Sequence, residues 1–507
     1  MLNMPKYILV IIALSLVIYA NTLRNDFVSD DIAAIVNNPD IGKLFGAPSL
    51  PSFLNALDYR IGGLSTPAYH LTSMLLNTLD CILAFFFLLL FFQPLSAFFG
   101  ALIFTSHPVH AESVAWISGR PYLLFTFFTL AAFLLYARAT GKGKLKLTPY
   151  LGSLAMYLFS FCSSYLAFLF PGMLLLYDFT FGRVKKNWRL WPGYFALAGL
   201  RLLLVTQAVK NRVVQIRAET GSTALLNPFY NAVYSFFSHL WLLLWPQNLT
   251  LYHEPAVISR QQLNLGIIAF LLLILALPFI YRKEKRLFFA LGIFILFLAP
   301  TYSPVIISWL VAERYLYLPA ISLAFFLSFF IEQAGPHTKD FGVGAGRHQA
   351  LTRPVYILVI LLVLLYSLRT VMRNADWKSH ASIWRATVKV SPNSHRAHNN
   401  MGDVYAREGN LEKSEQEFRE ALRLVPRYAD AEHNLANICQ ARGKVEEAQE
   451  HYRQAIAINP ALYQSYMNLG IIYYNKGEQA AARECWLKVK QLKPDEPQVD
   501  KLLEAVK

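Results

Sequence analysis

From Tyr7 to Val371, apolar runs recur with short polar loops between them. Each run is about 20 residues long, enough for a helix to cross a hydrocarbon core of roughly 30 Å. A backbone in lipid has to satisfy its own polar groups, so these runs predict helices. Spans are expected at approximately 6–23, 68–92, 94–112, 120–138, 148–164, 166–181, 190–209, 263–281, 287–305, 314–333 and 353–371. The run from Lys6 to Ala20 has the basic start of a signal peptide. No small-x-small cleavage site follows it, so it is read as an uncleaved first span.

After Val371 the pattern changes. Pro392, Pro426, Pro460 and Pro494 stand 34 residues apart, the tetratricopeptide period. On that register Met401/Leu435/Leu469, Gly402/Ala436/Gly470 and Tyr405/Cys439/Tyr473 fall on the first helix of each repeat. Ser414/Ala448/Ala482, Phe418/Tyr452/Trp486 and Ala421/Ala455/Val489 fall on the second. Small positions let paired helices approach, and large ones fill the space between pairs. Trp377 to Val390 reads as a lone second helix capping the stack. The expected division is a membrane domain over 1–371, a linker and half-repeat over 372–392, and three repeats with a C-terminal helix over 393–507.

The net charge of +15 first suggests a nucleic-acid binder, but its distribution argues against one. Residues 1–371 carry 27 Lys+Arg against 14 Asp+Glu, and residues 372–507 carry 20 against 18. The excess therefore lies in membrane loops, where it sets topology. The clusters Arg138/Lys142/Lys144/Lys146, Arg183/Lys185/Lys186/Arg189, Arg282/Lys283/Lys285/Arg286 and Lys339/Arg347/Arg353 are expected on the cytoplasmic side. With eleven spans the repeats fall outside. So do Asp26, Asp30, Asp31, Asp40, Asp58, Glu112, Glu219, Glu254 and Glu313. Pro228 to Trp245 is apolar enough to span, yet spanning would carry every later basic cluster outside. It is read as re-entrant or interfacial, with Tyr230, Tyr234, Trp241 and Trp245 at headgroup level; the alternative is a true twelfth span, which would place the repeats in the cytoplasm. Cys81, Cys162, Cys439 and Cys485 have neither metal spacing nor a disulfide framework.

Three outer segments carry candidate chemistry. Asp30 and Asp31 follow the first span, as a general base of raised pKa or as a helix cap. His107-Pro108-Val109-His110-Ala111-Glu112 precedes Ser118-Gly119-Arg120, a set that binds an acidic ligand or forms a structural turn. Its spacing is not a known metal signature. Glu313-Arg314 begins the last segment, as a local ion pair or a phosphate clamp. Asp80 and Arg201 fall inside spans, where charge is costly, and either pair or line a lipid-phosphate pocket.

Taken in order, Asn21-x3-Asn25-x-Phe27-x2-Asp30-Asp31, His107-Pro108-Val109-His110-x-Glu112, Ser118-Gly119-Arg120, Ala312-Glu313-Arg314-Tyr315-Leu316-Tyr317-Leu318-Pro319 and trailing repeats resemble one family. It is the transmembrane and tetratricopeptide-repeat containing protein O-mannosyltransferases and their bacterial relatives, within the GT-C glycosyltransferase superfamily. The resemblance covers nearly the whole chain. It implies an all-α, GT-C-like membrane domain followed by an α-solenoid. It also implies transfer of a sugar from a polyprenyl-phosphate donor to a protein Ser/Thr hydroxyl on the extracytoplasmic side. Asp30 and Asp31 match the acidic position that acts on the acceptor. Arg120 and Arg314 are expected to hold the lipid phosphate, with His107, His110, Glu112 and Glu313 lining the donor site. The repeat groove is a candidate dock for the acceptor protein. No residue is assigned to a metal, and a divalent ion is left open. The host membrane is the bacterial inner membrane with periplasmic repeats, or the endoplasmic reticulum membrane in a eukaryote. Two departures stand out: Ser163-Ser164-Tyr165 replaces Ser-Lys-Glu, and Leu50-Pro51 replaces Arg-Pro. The alternatives are a non-catalytic membrane-anchored scaffold and a transporter. The transporter is disfavoured because the membrane part shows no internal repeat.

Overall fold

The computed structural model of the chain describes residues 4–44, 49–141, 144–203, 228–253, 260–302, 309–334 and 345–506. Glu219, Glu254, Lys142, Lys339 and the tails of the spans expected at 190–209 and 287–305 lie outside the described residues, as does the side chain of Tyr230. Among the described residues every regular element is a helix. The chain forms two compact units, one carrying the helices up to Ser382 and the other those from Ile383.

The membrane unit begins with α1 (Met4–Tyr19), α2 (Leu50–Gly62), α3 (Thr66–Leu88), α4 (Pro94–Ser106), α5 (Ala111–Ala115) and α6 (Arg120–Ala139). It continues with α7 (Leu147–Ser163), α8 (Phe170–Thr180), α9 (191–203), α10 (Pro228–Leu244), α11 (Arg260–Lys283), α12 (Lys285–Leu298), α13 (Ile321–Ala334) and α14 (Ala345–Asp376). Six segments are long and apolar enough to cross a membrane by length and composition: Met4–Arg24, Thr66–Leu89, Ile117–Ala139, Asn264–Lys283, Lys285–Tyr302 and Pro354–Asp376. Pro94–Ser106, Tyr165–Thr180 and Ile321–Ala334 are shorter apolar helices. Leu272 and Leu275 on α11 and Leu358 and Leu365 on α14 stand exposed. Water would penalise such continuous apolar faces; lipid does not. The chain is an integral membrane protein.

Inside the bundle the glue is aromatic. Phe87, Phe91, Phe133, Tyr177, Phe289 and Phe325 form one edge-and-face cluster between α3, α6, α8, α12 and α13. Phe91 and the basic loops mark one end of the bundle. There Lys186 Nζ donates to the Thr140 and Gly141 carbonyls that end α6, and Arg286 pairs with Glu284 and Glu332. The start of α6, at Arg120, marks the opposite end.

Several expected boundaries move. α4 stops at Ser106 because Pro108 lacks an amide hydrogen and opens a separate turn. α13 starts at Ile321, since Glu313–Leu316 forms a short 3-10 turn instead of a span's first turn. The segment expected to be re-entrant or interfacial forms helix α10, which ends at Leu244; Trp241 and Trp245 are 60% and 53% exposed.

The second unit takes α15 (His380–Val390) from Ile383 onward and continues with α16 (His395–Arg407), α17 (Leu411–Leu424), α18 (Ala429–Ala441), α19 (Val445–Ile458), α20 (Tyr463–Asn475), α21 (Gln479–Leu492) and α22 (Val499–Glu504). Each repeat pairs a small residue with a ring. A Cβ on Gly470 would overlap the Trp486 ring at Nε1, and one on Gly402 would meet the Phe418 ring at 2.6 Å. Gly409, Gly443 and Gly477 turn the chain between paired helices with φ of 77°, 76° and 80°. Trp377, expected at the head of the capping helix, is instead part of the membrane unit; α15 begins three residues later.

Candidate active site

The residues singled out in the sequence gather at the bundle end opposite the basic loops. The first loop leaves α1 through Asn25, whose amide donates to the Asn374 carbonyl at 3.2 Å. Asn374 in turn donates to the Ile18 carbonyl and to Asn21 Oδ1. The Asn-x3-Asn spacing thus ties the first helix to the last. Ser29 follows at φ 53°, the only non-glycine residue with positive φ among the described residues. A residue held there stores strain, as functional loops often do.

Beyond this kink the two adjacent acids part. Asp30 is exposed, and no ion pair engages it among the described residues. Asp31 is fully buried. Its Oδ2 accepts from the Val28 amide at 3.2 Å, and its Oδ1 accepts from the Ser118 amide at 2.8 Å and the Ser118 hydroxyl at 2.5 Å. Burial pushes the Asp31 carboxyl up to about 6 despite these donors. Asp31, at the N-cap of the short helix that follows, makes no side-chain bond to that helix's amides, so the cap expectation is not met. One oxygen reaches back to the loop amide of Val28, and the other fastens the first loop to the Ser-Gly-Arg segment.

Gly119 is required there by contact. A Cβ would lie 2.8 Å from the Ser113 backbone. This close approach lets Arg120 turn inward, where it is fully buried. Its Nη2 donates to Asp58 Oδ2 at 2.5 Å and to the Tyr69 carbonyl at 2.6 Å. Nη1 donates to Asn55 Oδ1 at 2.7 Å and Nε to Ser73 Oγ at 3.2 Å. Arg120 was expected to hold a lipid phosphate. Four protein acceptors already surround it, so it is a buried clasp between α2, α3 and α6. Asn55 and Asp58 come from α2, whose first turn holds the Leu50-Pro51 departure under a Ser49 cap.

The His-Pro-x-His-x-Glu segment also turns inward. His107 Nδ1 accepts from the Val109 amide at 3.3 Å, while Nε2 donates to the Leu243 carbonyl at 2.9 Å. Burial pushes this imidazole down to about 4, so it is a neutral cap. His110 packs between Phe104 and Tyr317, each with ring centroids 4.5 Å away. Neither imidazole is exposed. They were expected to line a donor site; instead both rings are enclosed by protein, against the Leu243 carbonyl, Phe104 and Tyr317.

Glu112 reaches the last segment. Its Oε2 accepts from the Arg314 amide at 2.8 Å, and its Oε1 from Arg314 Nη1 at 2.5 Å. The same guanidinium lies over the Trp116 ring at 5.8 Å and the Tyr315 ring at 5.2 Å. Tyr165 is 52% exposed, and its phenol is within electrostatic reach of Arg314. Ser164 caps the turn that presents Tyr165. Glu313 faces the other way, toward Arg373, at 3.0 and 3.3 Å. Burial alone would raise the Glu313 carboxyl; Arg373 and His253 outweigh it and hold it below the usual glutamate range. Arg373 also pairs with Asp376 at 3.0 Å and lies over Trp377, which stacks on Trp116 at 5.8 Å. The two expected site arginines therefore differ, since only Arg314 borders an exposed side chain.

Sequence reasoning missed Arg373, Asn55 and the α2 clasp. One signal pointed to Arg373: a buried Glu313 needs a cation beyond its neighbour Arg314. Asp80 and Arg201 do not pair; Asp80 meets Tyr317 instead. Among the described residues no three His, Cys, Asp or Glu side chains converge on one point.

Tetratricopeptide-repeat families match residues 393–461 and 433–497. Protein O-mannosyl-transferase F38B6.6 of Caenorhabditis elegans is 26% identical over 461 residues, covering 82% of this chain and 62% of its own. Protein O-mannosyl-transferase TMTC3 of Homo sapiens is 24% identical over 82% of this chain and 51% of its own. Protein O-mannosyl-transferase TMTC4 of Mus musculus is 28% identical over 79% of this chain and 64% of its own. The chain thus spans between half and two thirds of the length of these curated relatives. Over most of its own length the chain is similar to these protein O-mannosyl-transferases.

Proposed function

We propose that the chain is a membrane glycosyltransferase of the GT-C type. It moves a sugar from a polyprenyl-phosphate donor to a protein Ser or Thr hydroxyl on the extracytoplasmic side. The observation that carries this reading is that one bundle end holds both an exposed acid just after a turn of positive φ (Asp30) and a buried arginine beside the exposed Tyr165 (Arg314). The names of the relatives make mannose the first sugar to try. Asp30 takes the acceptor's hydroxyl proton. The acceptor oxygen bonds to C1 of the sugar as the bond from C1 to the phosphate oxygen breaks, with inversion at C1. Arg314 steadies the departing lipid phosphate; Glu112 takes one of its five N–H donors and leaves others for phosphate oxygens. Asp31, Ser118 and the Arg120 clasp hold the loop that presents Asp30. The repeats bring the acceptor protein.

The test is transfer by the purified full chain in nanodiscs, with polyprenyl-phosphate mannose and acceptor peptides. Asp30→Asn keeps shape but cannot take a proton. Transfer should fall roughly 10²–10⁴-fold with the melting temperature unchanged. Arg314→Gln should mainly raise KM for the donor. Wild-type activity in Asp30→Asn would overturn the assignment of the base. A wild-type chain that binds no lipid-linked sugar would favour the scaffold reading.

A further inference from the structure

A chain of polar contacts runs through the membrane unit, away from the site just described. Asp80 lies in α3 and is fully buried. Its Oδ2 is 3.0 Å from the Tyr317 hydroxyl, which is also 2.8 Å from Asn77 Oδ1. Asn77 Nδ2 is 3.0 Å from Ser15 Oγ, Ser15 Oγ is 2.9 Å from Thr78 Oγ1, and Thr78 Oγ1 is 2.8 Å from the Met74 carbonyl. Asp80 Oδ1 has no hydrogen-bond partner, and no Lys, Arg or His pairs with Asp80 among the described residues.

The hydrogens in this chain can be counted from its far end. A backbone carbonyl only accepts, so the single hydrogen of Thr78 goes to Met74. Thr78 Oγ1 must then accept, and the single hydrogen of Ser15 goes to it. Ser15 has none left for Asn77, so the Asn77 contact comes from its amide Nδ2. That fixes the amide with Oδ1 toward Tyr317. Oδ1 only accepts, so it takes the one hydrogen of Tyr317. The remaining contact, between Tyr317 and Asp80, has no hydrogen unless Asp80 supplies it.

We infer that Asp80 is a neutral carboxylic acid inside the bilayer that donates to Tyr317 and thereby positions the Glu313–Arg314 turn. The lone Oδ1 agrees with this. A carbonyl oxygen of an acid tolerates a missing donor far better than a carboxylate in hydrocarbon does. The mechanical link is short. Tyr317 closes the 3-10 turn that carries Glu313 and Arg314, its amide donating to the Arg314 carbonyl at 3.3 Å. Its ring packs against His110 and Phe104, with centroids 4.5 and 6.1 Å away. Asp80 is thus a positioning residue that touches no substrate. Its effect on transfer rests on the function proposed above, whereas its protonation does not.

The test compares wild type, Asp80→Asn and Asp80→Leu as full chains in nanodiscs at pH 7.5. Infrared difference spectra of wild type against Asp80→Asn should show the C=O stretch of a protonated acid. Carboxylate bands in its place would overturn the inference. Asn keeps a donor for Tyr317, so Asp80→Asn should keep the melting temperature and keep transfer within about twofold, whereas Asp80→Leu leaves Tyr317 without its donor and should lose about tenfold in kcat/KM. Equal activity of the Leu and wild-type chains, or loss in the Asn chain, would overturn the positioning role. If Asp80→Leu does not fold, the infrared comparison and the Asn variant still decide. If wild type transfers no sugar yet shows the acid band, the proposed function fails and the neutral acid stands.

Discussion

The two units of this chain use charge in opposite ways. In the membrane unit the ion pairs that hold the site are buried. Arg120–Asp58 is 1% and 3% exposed, Arg314–Glu112 is 9% and 1%, and both partners of Arg373–Glu313 are at 0%. In the repeats Arg407–Asp403 is 66% and 38% exposed, and Arg385–Glu408 is 54% and 41%. Buried pairs fix a unique geometry but offset their attraction against a large desolvation cost, so breaking one is severe. Exposed pairs are screened and add little. The membrane unit therefore holds its site by charge, and the repeats hold their shape by fitting small residues against rings.

The largest expected stability effects break each unit by its own mechanism. Glu313→Gln strands Arg373 in a fully buried place, with Asp376 its one remaining ion-pair partner among the described residues. That should destabilise the membrane unit by roughly 3–5 kcal/mol, read from detergent melts. Trp486→Ala removes a fully buried ring from the last repeat. It should cost the array roughly 3–5 kcal/mol in a denaturant titration. If Glu313→Gln is mild while Trp486→Ala is severe, buried charge is not what holds the site.

A smaller effect sharpens the point through pH. Asp31 has a folded pKa of about 6 against 3.8 for the free side chain. The folded state therefore holds this proton more tightly than the unfolded chain. The stability from this group is full below about pH 4 and is lost as pH rises through about 6, a difference of about 3 kcal/mol. Asp31→Asn cannot ionise. Relative to wild type its melting temperature should rise steadily between pH 4 and pH 7. A constant gap between the two proteins across that range would mean that Asp31 is not desolvated.

The same contrast explains what could be read without coordinates. The repeats were legible because one spacing of 34 residues fixes every helix, and Gly402, Gly470, Phe418 and Trp486 take the places that spacing assigned. Most spans were legible because lipid dictates their length; α6 was expected at 120–138 and runs Arg120–Ala139. The segments of the site were visible as motifs. Their pairing was not, because Asp31 meets Ser118 across 87 positions and Glu112 meets Arg314 across 202. No local period encodes such contacts. Asp30 and Asp31 looked alike for the same reason, since only tertiary packing exposes one and buries the other. Arg120 looked like a phosphate ligand because Asn55 and Asp58 sit on a helix that apolar periodicity does not reveal.

The smallest expected effect guards the comparison at its other end. Arg407 and Asp403 sit four residues apart on α16, with Nε 2.7 Å from Oδ2. The geometry matches that of the buried pairs, so distance alone predicts a similar worth. Solvent decides otherwise. Water screens the attraction, and both long side chains give up rotamer freedom to hold it. Arg407→Ala should therefore cost only about 0.3–0.5 kcal/mol, and most of that should vanish in 1 M salt. The reference is the denaturant midpoint of the repeats with and without salt. A loss above about 1.5 kcal/mol that persists in salt would show that exposed pairs also hold this array, since surface pairs rarely exceed 1 kcal/mol. The division between a unit held by charge and a unit held by packing would then fail.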